Sequence, residues 1–302
     1  MKILLLGKNG QLGWELQRSL AVLGEVIALD RQGADGLCGD LADLGGLART
    51  VRQLRPQLIV NAAAYTAVDR AEGDEALAQR INALAPEALA REAASLHALL
   101  VHYSTDYVFD GRGDTPWREG DATAPLNAYG RTKREGETRI AATNCRHLIF
   151  RTSWVYGAHG QNFAKTVLRL ASERDTLSMI HDQIGAPTGA DLLADITAQT
   201  VRHLLPMQGH NDHTPSGIYH VAASGETSWF DYAHWVLTCA QKRGVQLKVD
   251  AAMLKAIPSS AYPVTAVRPH NSRLDTTRLS STFGVHLPHW QQGVQRMLQE
   301  IL

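Results

Sequence analysis

Lys2-Ile3-Leu4-Leu5-Leu6-Gly7-Lys8-Asn9-Gly10-Gln11-Leu12-Gly13 begins with a short, nearly unbroken apolar run and closes in three evenly spaced glycines. Such a run suits a parallel strand covered on both faces, and Trp14 to Leu23 carries the period of an amphipathic helix. Strand, glycine turn and helix in this order open a doubly wound α/β sheet. The Gly-x-x-Gly-x-x-Gly spacing is a variant of the dinucleotide fingerprint. Without Cβ atoms the backbone can approach a pyrophosphate, which then meets the unpaired N–H groups at the helix start. Gly7, Asn9, Gly10, Gln11 and Leu12 are therefore candidate cofactor contacts. A tight turn with nothing bound is the plainer alternative, disfavoured by the position between first strand and first helix.

Outward from there, Glu25 to Leu29 reads as a second strand ending in Asp30, where an acidic residue would meet an adenosine ribose. Arg31 follows at once and suits a 2′-phosphate, so NADH and NADPH both stay open. A short run before Gly39-Asp40-Leu41 reads as the third strand, with Asp40 and Leu41 at its tip. A helix is expected from Leu44 to Leu54, stopped by Pro56, then a strand from Gln57 to Val60. It delivers Asn61, Ala62, Ala63, Ala64 and Tyr65 to the carboxyl edge of the sheet, where small residues let the backbone lie against a cofactor. After Val68 and Asp69 a long helical pattern runs to about His97, with a kink or break at Pro86. Asn82 within it either holds a network near the site or faces solvent.

Leu99 to Tyr103 is the next strand, with Tyr103 beside the expected cofactor groove and Ser104-Thr105-Asp106-Tyr107 at its end. Tyr129-Gly130-Arg131-Thr132-Lys133 then places a phenol and an ammonium on one face of a helix. A phenol with a pKa near ~10 handles protons poorly at neutral pH unless a positive charge stabilises its phenolate, and Lys133 can supply that charge. The last strand of this half is His147 to Arg151. Beyond Gly157 the strand-helix rhythm stops: helices are expected over Asn162 to Glu173, Ala190 to Leu205, Ser228 to Thr238 and Trp290 to Leu302. His210 to Ser216 is a markedly polar, loop-like insert. Trp154 is a candidate to stack on a sugar or base. Gln183 and Arg268 are candidates for polar groups, Arg268 for a diphosphate.

Thirty basic and thirty acidic residues cancel in a chain of 302, and no stretch concentrates lysine and arginine into a nucleic-acid or membrane surface. Cys38, Cys145 and Cys239 match no metal or disulfide spacing, and the first apolar run is too short for a signal peptide or membrane span. The cytoplasm is the expected location.

The glycine turn, Asn61-Ala-Ala-Ala64, Ser104-Thr-Asp-Tyr-Val-Phe109 and Tyr129-x-x-x-Lys133 resemble the extended short-chain dehydrogenase/reductase family. Arg151-Thr-Ser-Trp-Val-Tyr156, Asp182-Gln-Ile-Gly-Ala-Pro-Thr188 and Arg268-Pro-His-Asn-Ser-Arg-Leu274 resemble that family's nucleotide-sugar 4-keto reductases. The resemblance implies a Rossmann sheet over residues 1–150 and a smaller, mainly substrate-binding domain over 151–302, some segments of which return to the first. It implies reduction of the 4-keto group of dTDP-4-dehydro-L-rhamnose by NADPH or NADH, giving dTDP-L-rhamnose. In that reaction Tyr129 gives the proton, Lys133 holds the nicotinamide ribose and lowers the pKa of the tyrosine, and Thr105 orients the carbonyl. Val68, Asp69, Asp106, Tyr107, Trp154, Gln183 and Arg268 are the implied substrate contacts. Some relatives dimerise through carboxylates around magnesium, for which Glu15, Asp191 and Glu300 are the matching acids, an aspartate being short for a strict site. The alternatives are an epimerase or dehydratase of the same superfamily, although Asp106-Tyr107 lacks the Asp-Glu of dehydratases, and a non-catalytic dinucleotide-binding subunit.

Overall fold

The computed structural model describes residues 1–204 and 216–302. Of the polar insert only Ser216 falls among them, and Leu205 lies outside them. Strands β1 (Lys2–Leu6), β2 (Glu25–Leu29), β3 (Leu58–Asn61), β4 (Leu99–Thr105) and β5 (Arg146–Thr152) join a later strand, Gly217–His220, in one sheet. The order is Gly217–His220, β5, β4, β3, β1, β2, and every neighbouring pair is parallel. Side chains alternate between the faces. Ile3, Leu5, Leu58 and Val60 pack with helices α1 (Gln11–Ala21) and α8 (Ala190–Leu204), while Leu4, Leu6 and Ile59 pack under α2 (Leu44–Leu54) and α5 (Ala85–Leu96). Covering both faces is why the strands read as apolar runs, each fully buried leucine contributing about 1.5–3 kcal/mol.

The expected third strand before Gly39 is absent. Gly33, Asp35 and Gly36 all take positive φ and fold the run into a turn bridged only at Ala34 and Leu37. Helix α2 stops at Arg55, which is left-handed (φ 47°), since the residue before Pro56 avoids the helical region. The long helical pattern breaks into α3 (Val68–Ala71), α4 (Glu75–Gln79), a π-helical stretch Arg80–Leu84 and then α5. Pro86 directly follows the π-helical stretch, with Leu84 and Ala85 still helical, so its missing N–H falls where the wider turn has already displaced the usual bonding. Asn82, inside the π-helical stretch, turns inward: it accepts from the Tyr65 N–H at 2.9 Å and donates to Thr132 Oγ1 at 3.1 Å.

Helix α6 (Ala128–Ala141) is capped by Asn127, whose side chain accepts from the Gly130 N–H at 2.8 Å and so sets Tyr129 in the first turn. A second core gathers Val167 of α7 (Phe163–Glu173), Tyr232 and Val236 of α9 (Trp229–Lys242), and Trp290 and Val294 of the C-terminal helix Trp290–Ile301. The second half is not self-contained, for α8 packs on α1 and Gly217–His220 extends the sheet past β5.

Candidate active site

From β1 the chain continues to β2 on one side, whereas β3 lies on the other side of β1. Ligands of doubly wound sheets sit at such a switch point. Gly7 lies there at φ +91°, and a Cβ on it would come 2.8 Å from the Ala63 nitrogen; one on Gly13 would come 2.0 Å from the Gly7 carbonyl oxygen. Only glycines let the turn, α1 and the alanine loop close on one another. Beside them is a cavity of about 460 Å³ lined by Gly7, Arg31, Asp40, Leu41, Ala63, Ala64, Tyr65 and Arg70. Asp30 accepts from Asn9 Nδ2 at 2.8 Å, with Lys8 Nζ at 3.6 Å, and Arg31 Nε lies 3.6 Å from Asp40. The donor set fits a dinucleotide: small residues for close approach, a carboxylate for a ribose diol, two arginines for a phosphate. Arg70 was not among the expected contacts; α3, invisible as a separate helix in the sequence pattern, turns it in. Gln11 and Leu12 are used within the fold, Gln11 accepting from Asn162 at 3.3 Å and Leu12 packing on the core. Tyr103 departs from expectation: its hydroxyl shares a hydrogen bond with Thr197 Oγ1 at 2.6 Å, away from the groove, and it faces the site through its carbonyl alone.

At the reactive end Thr105 donates to Asp106 Oδ1 at 3.1 Å and accepts from the Tyr107 N–H at 3.2 Å, and its hydroxyl is near enough to the Tyr129 phenol to act on its ionisation. Tyr107 meets the edge of Tyr129, centroids 5.5 Å apart. Burial pushes the Tyr129 phenol up to about 12, opposed by the neighbouring Thr105 hydroxyl and helped by the charge of Asp106. The expected lowering by Lys133 is therefore not what governs Tyr129 in this structure. Lys133 is fully buried and donates to the Tyr103 carbonyl at 2.5 Å, and its pKa falls to about 8, by burial first, against the pull of Glu137. A protonated phenol is the form a proton donor needs. Asp106 is pushed up to about 6 by burial, and its Oδ2 has no hydrogen-bond partner.

Next to Tyr107 a second cavity, about 540 Å³, is lined by Phe163, Met179, Gln183, Trp229, Tyr262 and Arg268. Arg268 reaches back to Asp69, and that hydrogen bond holds the Asp69 carboxyl below its usual range. Val68 sits on the same short helix, α3, beside neither cavity wall. Trp154 does not line the cavity, because its ring stacks on Trp229 at 3.5 Å, and Trp229 presents the aromatic wall instead. Phe163, Trp229 and Tyr262 were missed for want of any local signal.

Glu15, Asp191 and Glu300 do line one small cavity, yet each also has an arginine at hand. Arg18 pairs with Glu15 at 3.3 Å, and Arg296 lies 3.3 Å from Glu300 and 4.0 Å from Asp191. Among the described residues no three acidic, histidine or cysteine side chains are arranged to hold a metal ion. The magnesium expectation does not fit this arrangement.

The RmlD substrate binding domain family model matches residues 1–302. The dTDP-4-dehydrorhamnose reductase of Escherichia coli (strain K12) is 54% identical over 301 residues, covering 100% of this chain and 98% of that protein. Two crystal structures share the fold over 99% of both chains: a dTDP-4-dehydrorhamnose reductase of Clostridium acetobutylicum (34% identity, TM-score 0.88) and that of Bacillus anthracis in complex with NADP (32%, 0.87). On matches that run its whole length, the chain belongs to the dTDP-4-dehydrorhamnose reductase family.

Proposed function

We propose that the protein reduces the 4-keto group of dTDP-4-dehydro-L-rhamnose with NADPH or NADH, giving dTDP-L-rhamnose. The observation that carries this reading is the half-buried Tyr129 next to Thr105, its ring meeting Tyr107 of the Arg268 cavity and packing in one cluster with Tyr65 of the glycine-turn cavity. Gly7, Gly10, Asp30, Arg31, Ala63 and Tyr65 hold the dinucleotide, which supplies a hydride when bound. Thr105 orients the sugar carbonyl, and Tyr129 passes its proton to the alkoxide oxygen as negative charge develops there. Lys133 secures the nicotinamide ribose, while Gln183 and Arg268 hold the substrate, Arg268 at its diphosphate. Residues 1–150 mainly serve the dinucleotide and residues 151–302 mainly the sugar nucleotide.

The reaction belongs to the cytoplasm in this proposal. All three cysteines are free, which suits a reducing compartment, and among the described residues no helix is long and apolar enough to cross a membrane. The test is the loss of NADPH or NADH absorbance with dTDP-4-dehydro-L-rhamnose, set against UDP-linked keto sugars. Stoichiometric consumption of reduced cofactor supports the reductase. Turnover without net consumption would assign an epimerase, and binding without turnover a regulatory subunit.

A further inference from the structure

Behind Tyr129 lies a buried polar chain that the reduction, as described, does not use. His102 of β4 and Asn61 at the end of β3 are register partners on neighbouring strands, each about 1% exposed. Asn61 Oδ1 accepts from the Ala63 N–H at 3.2 Å. That bond settles which way the amide faces and turns the Nδ2 donor toward His102 Nδ1, also at 3.2 Å. A neutral imidazole carries one proton, so accepting at Nδ1 puts that proton on Nε2. Nε2 lies 3.2 Å from Lys133 Nζ. An ammonium has three donors and no lone pair, and against Nε2–H it meets donor with donor. Only the neutral amine can accept.

We propose that His102, locked in its Nε2–H form by Asn61, is a positioning residue that donates to Lys133 and favours its neutral amine. The groups facing Lys133 are Tyr129 and Glu137 on its own helix, and His102 with the Tyr103 carbonyl on β4. Glu137 is engaged by Arg151 at 2.7 Å and by Ser104 at 2.6 Å, which blunts its hold on the ammonium. Burial works the same way as the hydrogen-bond direction, lowering both Lys133 and His102, the latter further through the lysine's charge. The consequence rests on the reductase reading. Once Tyr129 has given its proton to the alkoxide, a proton leaving the Lys133 ammonium toward the phenolate leaves an amine that His102 already stabilises. No proton leaves the imidazole, and the lysine recovers its own from solvent.

The experiment reads Lys133 directly, in the full chain without substrate. Lysine carrying 13C at Cε is titrated by NMR, with the Lys133 signal assigned by its loss in Lys133→Arg. The natural chain should show a midpoint at least about one unit below the ordinary lysine value of ~10.4. Asn61→Ala frees Nδ1 to take the proton, and His102→Gln can turn an amide oxygen to the ammonium. In each variant the midpoint should rise by at least about half a unit. A midpoint in the ordinary range for the natural chain, or one that stays in place in a folded Asn61→Ala chain, overturns the assignment. Midpoints as expected in a protein that reduces no keto sugar would support the His102 assignment and overturn the proposed reaction instead.

Discussion

Arg268 grips Asp69 with both terminal nitrogens, Nη2 donating to Oδ2 at 2.6 Å and Nη1 to Oδ1 at 3.3 Å, and so ties the C-terminal half to the helix that follows β3. Asp69 also accepts from the Ala266 N–H at 3.0 Å, so the carboxylate is anchored and the guanidinium is held at the cavity wall before any substrate arrives. The pair is partly open to solvent, and its own contribution to stability is small. Arg268→Ala should weaken sugar-nucleotide binding by roughly 1.5–3 kcal/mol, the range for hydrogen bonds to a charged group. Calorimetry should find dinucleotide affinity unchanged to within about a factor of two.

Tyr129→Phe removes one oxygen from a packed ring. Thermal unfolding and dinucleotide affinity should barely move, while kcat falls about 10²–10⁴-fold, the usual loss of a general acid. A variant that keeps more than about a tenth of the natural kcat would remove Tyr129 from the proton-donor role.

Arg31 and Arg70 both reach the adenosine side of the groove. Arg31→Ala and Arg70→Ala should each weaken NADPH more than NADH, by about 1 kcal/mol because these side chains are solvent-screened. Parallel Michaelis constants for the two cofactors provide the comparison, and equal losses would count against the phosphate assignment.

Burial raises Asp106 from its ordinary 3.8 to about 6. For an acid raised by folding, the native state is favoured below the ordinary value, and that advantage is lost as pH climbs from about 4 through about 6. Above pH 6 the buried carboxylate costs on the order of 2–3 kcal/mol. Asp106→Asn, which mimics the protonated form, should therefore be the more stable protein in urea at pH 8, with the gap closing near pH 4.

Glu137 and Arg151 form a doubly hydrogen-bonded pair, at 2.8 and 2.7 Å, sealed between α6 and β5. Removing one partner strands a buried charge. Glu137→Gln should lower unfolding stability by about 3–5 kcal/mol, whereas replacing both by apolar residues of like volume should cost far less. Chemical denaturation of the single and double variants separates the two outcomes.

Strands β1, β2, β3 and β5 fall within one residue of where apolar runs place them, because strands covered on both faces leave contiguous signals. The same double coverage hides which face each residue takes. Tyr103 was expected at the groove and His102 passed over, yet it is the His102 side chain that meets Lys133 while Tyr103 turns to α8. The run before Gly39 was misread as a strand although Gly33 and the Asp35-Gly36 pair, residue types that take positive φ readily, signal the turn that forms there. Trp154 and Trp229 stack across the second half, a long-range pairing that no periodicity encodes.

The late strand Gly217–His220 has a bearing on synthesis. The ribosome delivers β5 complete at Thr152, but the strand that covers its open edge emerges about 65 residues later. At 5–20 residues per second the nascent chain carries that unpaired edge for roughly 3–13 s. Exposed parallel edges invite pairing with other chains, so this interval, rather than the finished protein, is when chaperone cover would most improve the yield of folded product.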